Sequence, residues 1–295
     1  MAGATQATLG TVTAVWRYPV KSMCGEEVAG ADITARGVLG DRCYALLDPA
    51  TGRVVSASKW TRLFDCHATY AEEPRCDGPP PPVRIALPDG ETITSALPDR
   101  DAILARALGW DARLITTAPA SGTDEASWPA IQGGVPVGES LPREDGETRT
   151  ALQVAAAAPK GAFFDGAVIH LLTSATLARL RALYPEGNFD VRRFRPNIVV
   201  EIPDEAAGFV EDEWVGRTLV IGETVRLKVL LSCPRCVMAT LSQGNELPRD
   251  VGILRTIARN NQRLVADLGN MACAGVYADV AESGFIRRGD PVRLV

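Results

Sequence analysis

The first third of the chain is built from short runs in which apolar and polar residues alternate. Residues 10–18 follow this period of two and are rich in β-branched and aromatic side chains, which predicts a strand. Such runs flank the turn sequences at 48–52 and 88–90, so we predict two β-hairpins. A helical pattern then ends at Leu108, and Gly109 suits the left-handed position just past a helix.

The second half of the chain mixes both periodicities. Leu177, Leu180 and Leu183 fall on one helical face, so a helix is predicted within 170–184, opening with Thr173 and Ser174. A further helix is predicted over 251–262, and strands are predicted at 198–202, 214–219, 225–231, 275–280 and 286–295. Many short strands with a few helices indicate a β-barrel domain with attached helices.

A segment with little periodicity, residues 117–160, separates these halves. It is rich in Gly, Pro, Ser and acidic residues. A compact domain rarely contains so long a structureless loop, so we place the domain boundary here. The sequence predicts a mixed β-barrel/α+β fold: an N-terminal β-rich domain over 1–118, a linker or long loop over 119–160, and a β-barrel domain over 161–295 on which the first strand can pack.

Composition and charge limit the classes of function. The 295 residues suffice for about two domains, and 46% of them are hydrophobic, enough for a substantial core. A net charge of −5 argues against general nucleic-acid binding, which needs a basic surface. The sequence contains no run of about 18 apolar residues, so no membrane-spanning helix is predicted, and residues 1–10 lack the features of a signal peptide. We therefore expect a cytoplasmic protein whose seven cysteines stay reduced.

The candidate chemistry centres on Cys233-Pro234-Arg235-Cys236, which follows the predicted strand at 225–231. From the residues alone, three interpretations are open: two cysteines buried at a strand end, half of a zinc site, or a thioredoxin-like redox pair. Zinc would need a second cysteine pair of suitable spacing, and the redox motif ordinarily opens a helix. A soft thiolate beside a fixed cation is also a setting for metal chemistry.

Four further segments place Lys, Arg, Ser, Thr or Asn at the ends of predicted elements. Their sequences are RYPVKS at 17–22, GVLGDR at 37–42, LLTS at 171–174 and RFRPNIVV at 193–200. Each has an ordinary explanation as a solvated cation, a helix N-cap or a turn. In this order, and with WVGRTLVIG at 214–222, they resemble the MOSC-domain proteins. The resemblance is to two-domain members with an N-terminal MOSC-type β-barrel domain, such as the mitochondrial amidoxime-reducing component and its bacterial relatives.

The resemblance implies that a molybdenum–pterin cofactor (Mo-molybdopterin) binds through one cysteine. Cys236 matches the molybdenum ligand and catalytic position, whereas Cys233 is a weaker candidate. The residues on or beside cofactor-contact positions are Lys21, Ser22, Arg42, Thr173, Ser174, Arg195, Asn197, Ser232 and Arg235. A phosphate prefers cations and a helix N-terminus, and a pterin edge prefers a donor–acceptor side chain such as Asn197. Arg235 would favour the ionised form of Cys236.

The activity implied by the resemblance is the two-electron reduction of N-hydroxylated small molecules such as amidoximes. No iron–sulfur segment is recognised in this chain, so we expect electrons from separate donor proteins of iron–sulfur or haem/flavin type. No nucleic-acid or membrane partner is expected. Two alternatives are open: a molybdenum-cofactor carrier or sulfur-transfer protein that uses Cys236, and a metal-free binding barrel. A complete sulfurase is not expected, because no pyridoxal-dependent domain precedes the MOSC half; pyridoxal phosphate binding is left open.

Overall fold

The computed structural model describes residues 8–116, 163–203, 208–265 and 268–295, together with the backbone of three strands within 123–153. The strands before residue 160 are β1 (Thr8–Arg17), β2 (Glu26–Val28), β3 (Gly30–Thr34), β4 (Gly37–Val38), β5 (Ala45–Asp48), β6 (Arg53–Val54), β7 (His67–Tyr70), β8 (Val83–Ala86), β9 (Thr92–Thr94), β10 (Arg113–Ile115), β11 (Thr123–Pro129), β12 (Glu139–Ser140) and β13 (Glu147–Gln153). The later strands are β14 (Ile169–Thr173), β15 (Ile198–Glu201), β16 (Thr218–Ile221), β17 (Val225–Pro234), β18 (Gln262–Leu264), β19 (Asn270–Glu282), β20 (Gly284–Arg287) and β21 (Pro291–Leu294). The helices are α1 (Arg100–Leu108), α2 (Ser174–Leu183) and α3 (Gly252–Asn260), with short 3₁₀ helices at Thr61–Asp65, Val191–Arg193, Val210–Trp214 and Val237–Thr240.

Seven strands close into a barrel in the order β14-β15-β1-β21-β16-β17-β19, and β19 pairs back to β14. The β14–β15 pair is parallel and the other neighbours in the barrel are antiparallel. Val15, Leu171, Leu227 and Val276 meet in its fully buried core. Closure leaves these seven strands paired on both edges, and it confirms the predicted β-barrel with attached helices.

The first strand of the chain is part of this barrel, because β1 pairs with both β15 and β21. After Arg17 the chain leaves the barrel. Val20 and Cys24 then form β-bridges with Tyr44 and His67 in the N-terminal β-rich region. Residues 18–24 therefore connect the barrel to that region, and they carry part of the predicted site.

The N-terminal region has its own core around two small sheets, β10-β5-β6 and β7-β8-β9, and helix α1. Leu46, Phe64, Ile85 and Leu104 are buried there. Both predicted hairpins are found, as β5–β6 and β8–β9. Helix α1 ends where predicted, and Gly109 follows it with a φ of 82°. Within the described residues, no helix has the length and apolar character needed to cross a bilayer.

The structure differs from the predicted elements in three places. The helix predicted to open with Thr173 and Ser174 does begin at Ser174, but a strand that was not predicted, β14, precedes it. Trp214 belongs to a 3₁₀ helix, and the strand predicted over 214–219 starts at Thr218. Strands β11, β12 and β13 lie where a linker or long loop was predicted. The remainder of that segment lies outside the described residues.

Candidate functional site

The CPRC motif lies where β17 ends. Pairing of β17 with β19 shifts register three times, and the last shift falls between Ser232 and Pro234. Bulges of this kind re-aim side chains and are common beside functional sites. The N–H of Arg235 donates to the carbonyl of Ala272 at 2.8 Å, and Cys236 immediately precedes a short 3₁₀ helix. The backbone of the motif is therefore fixed on both sides.

Burial raises the pKa of both thiols in the motif. At Cys233 it outweighs the guanidinium of Arg235, whose Nη1 lies 3.1 Å from Sγ. At Cys236 burial again raises the pKa, while the N–H of Met238 and the charge of Arg235 lower it by less. The raised pKa of the Cys236 thiol runs against the thiolate that the sequence led us to expect. A metal cation that bound the sulfur would displace its proton.

Two of the predicted cations, Lys21 and Arg42, are buried next to each other. Lys21 is 2% exposed; its Nζ donates to the carbonyl of Phe163 at 3.3 Å and forms an ion pair with Asp165. Arg42 is 7% exposed and forms an ion pair with Asp41. The N–H of Phe163 donates to the carbonyl of Arg42 at 3.1 Å. The chain just before β14 therefore contacts the ammonium group of Lys21 and the backbone of Arg42.

A third predicted cation, Arg195, shares an aromatic ring with Arg42. The guanidinium carbon of Arg195 lies 4.2 Å from the centroid of the Tyr18 ring, and that of Arg42 lies 5.1 Å from it. Burial, and next the charge of Arg42, lower the pKa of Arg195, whose Nη1 donates to the carbonyl of Met23 at 2.6 Å. We call the group formed by Lys21, Arg42 and Arg195 the cationic seat. Its buried positive charges repel one another, so an anion bound among them would be stabilised.

Backbone strain coincides with this group. Among the residues described, the non-glycine residues with a left-handed backbone are Ser22, Arg42 and Arg195, with φ values of 66°, 50° and 54°. Such a conformation costs an L-residue about 1–2 kcal/mol. It persists where the surroundings enforce it, which is frequent at ligand sites. All three residues were predicted from the sequence to lie at cofactor-contact positions.

Three buried donor or acceptor nitrogens around the motif lack a hydrogen-bond partner in the part of the chain that the structure describes. They are Nη2 of Arg195, Nε of Arg235 and Nε2 of His170. Arg235 is otherwise anchored, because its Nη2 donates to the carbonyl of Phe194 at 2.8 Å. A buried polar group without a partner costs about 1–3 kcal/mol. A ligand bound here would supply the partners that these atoms lack.

Asn197 connects the cationic seat to the barrel wall. Its Nδ2 donates to Oδ2 of Asp41 at 2.9 Å, and its Oδ1 accepts from the N–H of His170 at 3.0 Å. Asp41 also accepts from the N–H of Tyr18 at 2.7 Å and pairs with Arg42. The amide of Asn197 therefore orients the carboxylate that holds Arg42.

Three predicted hydroxyls are bonded inside the barrel rather than to the cationic seat. Thr173 caps α2, and its Oγ1 donates to Glu211 at 2.6 Å. The Oγ of Ser174 accepts from the backbone N–H of Ile202, just after β15, at 2.9 Å. Ser232 donates to Asp212 at 2.5 Å. In this structure these bonds hold α2 and the end of β17 in place.

Sequence reasoning missed the acidic residues and the histidine of the site. Asp41 could have been found, since it lies beside Arg42 in the GVLGDR segment. Asp165, His170 and Glu211 carry no spacing signal, because each approaches the site from a segment judged only for its apolar pattern. Solvent approaches Arg195 and Tyr18 through a cleft of about 400 Å³.

Two family comparisons match this chain. The family described as "MOSC domain" matches residues 158–293, and the family described as "MOSC N-terminal beta barrel domain" matches residues 9–128. These matches agree with the closed barrel and the β-rich region before it. The chain is a MOSC-domain protein with an N-terminal MOSC β-barrel domain.

Curated relatives align over nearly the whole chain. Mitochondrial amidoxime reducing component 2 of Macaca fascicularis is 28% identical over 297 residues, covering 96% of this chain and 83% of the relative. Human mitochondrial amidoxime-reducing component 1 is 28% identical over 299 residues, covering 97% and 83%. Among solved structures, YiiM from Geobacillus stearothermophilus is similar at 20% identity over 57% of this chain and 75% of its own, with a TM-score of 0.31.

Proposed function

We propose that this protein reduces N-hydroxylated small molecules with a molybdenum–pterin cofactor. The observation that carries the proposal is the cationic seat, where three buried cations coincide with strained backbone at Arg42 and Arg195. Buried cations are stabilised by an anionic partner, and strained backbone of this kind is frequent at ligand sites. The relatives named amidoxime reducing components supply the reaction class.

The residues present fit such a cofactor. Lys21 and Arg42 are suited to its phosphate, because charge-assisted hydrogen bonds to phosphate are strong. The unpartnered nitrogens of Arg195 and Arg235 can donate to acceptor atoms of the pterin. Cys236 offers the soft sulfur ligand that molybdenum prefers. When bound, the cofactor would supply the two-electron chemistry that cleaves an N–O bond.

The chain itself positions the sulfur. Val237, Met238 and Leu241, which follow Cys236, pack against the core of the N-terminal region. Arg235 is held between Phe194 and Cys233 by the bonds described above. On ligation Cys236 would lose its proton, and the nearby guanidinium would stabilise the resulting negative sulfur.

The ligand assignment can be tested in protein purified from a host that makes the cofactor. Cys236→Ala should lose both molybdenum and reduction of a test amidoxime, and Cys236→Ser nearly as much, because a hydroxyl is a hard ligand. Cys233→Ser should be milder, and Cys76→Ser, at an exposed cysteine, is the matched control. Full activity with bound molybdenum in Cys236→Ala would refute the assignment.

The source of electrons needs a separate anaerobic assay. We expect no turnover with NADH alone, since no Gly-x-Gly-x-x-Gly loop follows a strand in this sequence. Reduced viologen should support turnover of benzamidoxime. Turnover with NADH alone would contradict the requirement for separate donor proteins. Molybdenum-loaded protein that stays inactive with viologen would favour a cofactor carrier, and protein without molybdenum or pterin would favour a metal-free barrel.

A further inference from the structure

Asp165 lies at the cationic seat, and neither the sequence motifs nor the comparisons assign it a role. It follows Phe163, whose carbonyl and N–H are bonded to Lys21 and Arg42. Its carboxylate forms an ion pair with Lys21. The side chain of Asp165 is 47% exposed, whereas that of Lys21 is 2% exposed. The carboxylate therefore extends from solvent onto a buried cation.

The charge of Asp165 interacts with the whole cationic seat. Burial alone would raise the pKa of Asp165, but Lys21 and then Arg42 outweigh it and lower the pKa, and Arg195 acts in the same direction. The same carboxylate contributes to raising the pKa of Cys236. The Asp165 carboxylate therefore interacts with the same cations that a bound phosphate would need.

We propose that Asp165 is a built-in competitor of phosphate, which pairs with Lys21 of the cationic seat until a phosphate-bearing ligand binds and the carboxylate turns away. The inference rests on the proposed function only in that Lys21 and Arg42 receive a phosphate. Two anions in one partly buried place repel strongly, so both cannot stay against Lys21.

The structure favours movement of Asp165 over movement of the cations. The backbone N–H of Lys21 donates to the carbonyl of Tyr44, and the backbone N–H of Arg42 donates to the carbonyl of Tyr18, both at 2.8 Å. Their backbones are therefore fixed, and their side chains are buried. Asp165 is half exposed, so rotation brings its carboxylate into water without opening the core. The ion pair would compensate the buried charge of Lys21 when no phosphate is bound, and it would weaken phosphate binding.

The test uses the full-length chain from a host that cannot make the cofactor, titrated with inorganic phosphate by calorimetry and by thermal unfolding. Asp165→Asn should bind phosphate about tenfold more tightly than the unaltered protein, because the competing charge is gone. Its melting temperature without phosphate should be lower, and phosphate should raise it by more. Asp165→Ser removes the charge with a smaller side chain and should behave alike.

Two control variants separate this inference from the proposed phosphate site. Glu246→Gln removes a carboxylate that is 73% exposed and paired with Arg192, and should leave phosphate affinity unchanged. Lys21→Ala should abolish phosphate binding. If it does, and Asp165→Asn binds phosphate equally or more weakly than the unaltered protein, the competitor role is wrong and the site survives. Absence of phosphate binding in every variant, or binding unaffected by Lys21→Ala, would overturn both.

Discussion

Arg193 provides a quantitative test of how the chain after the CPRC motif is held. Its side chain is fully buried. It donates to the carbonyls of Asn188 at 2.8 Å, Ala239 at 3.5 Å, Leu241 at 3.0 Å and Pro248 at 2.7 Å. The last three belong to the segment that follows Cys236. Arg193→Ala removes all four bonds at once.

The expected loss follows from these contacts. A hydrogen bond from a charged donor contributes about 1.5–3 kcal/mol, and three of the four here are 3.0 Å or shorter. Burial lowers the pKa of Arg193, which shows that desolvation of the guanidinium offsets part of this gain. Carbonyls left without a donor add their own penalty. We expect Arg193→Ala to lower the free energy of unfolding by about 3–5 kcal/mol.

The neighbouring arginine is the matched control. Arg192 has a side chain that is 38% exposed, and it pairs with Asp190 and Glu246 at the surface. Exposed pairs contribute about 0–1 kcal/mol, so Arg192→Ala should have a small effect. Urea unfolding followed by tryptophan fluorescence would compare the two variants. Equal losses would refute the interpretation of Arg193 as an anchor.

Two further predictions, one on glycine positions and one on pH dependence, test other parts of the fold. Gly40→Ala should lower the free energy of unfolding by more than about 2 kcal/mol, because φ is +85° and a Cβ would lie 2.6 Å from Pro74 Cγ and 2.8 Å from Tyr70 Cε2. Gly52→Ala, with a φ of +67° and open space around it, should lower that free energy by about 1 kcal/mol. Equal midpoints of urea unfolding for the two variants would contradict this. Burial raises the pKa of Glu211 above its ordinary 4.5, so the folded protein keeps a proton that the unfolded chain releases, and stability falls as pH rises from 4.5 through the raised pKa. Glu211→Gln should remove this part of the dependence of stability on pH. If the melting temperatures of the two proteins changed in parallel between pH 4 and 7, the prediction would be wrong.

The elements that the sequence predicted well are those with local signals. The hairpin turns and the end of α1 at Gly109 depend on residues close together in the chain. Strand β14 was missed because all five of its residues are buried, so it lacks the alternation of a half-buried strand. Thr173 and Ser174 marked the start of α2 in the sequence, but nothing in the residues before them indicated a strand.

The candidate site was predicted from motifs, and its geometry was not. The sequence indicated Ser22, Arg42 and Arg195, but their left-handed backbones follow from tertiary contacts and not from residue preference. The carboxylates of Asp165 and Glu211 reach their partners from distant segments, which no local pattern encodes. The raised pKa of Cys236 follows from burial, which outweighs the adjacent arginine that the motif makes visible.

The position of β1 in the barrel means that the two matched regions are not separable by cutting the chain between them. A fragment of residues 161–295 would keep six of the seven barrel strands and leave β15 and β21 with unpaired edges, which readily recruit foreign strands. The residues directly after β1 include Lys21, so one stretch of chain supplies both a central barrel strand and a cation of the seat. A cut between the two matched regions would therefore remove a barrel strand and a cation of the proposed phosphate site together.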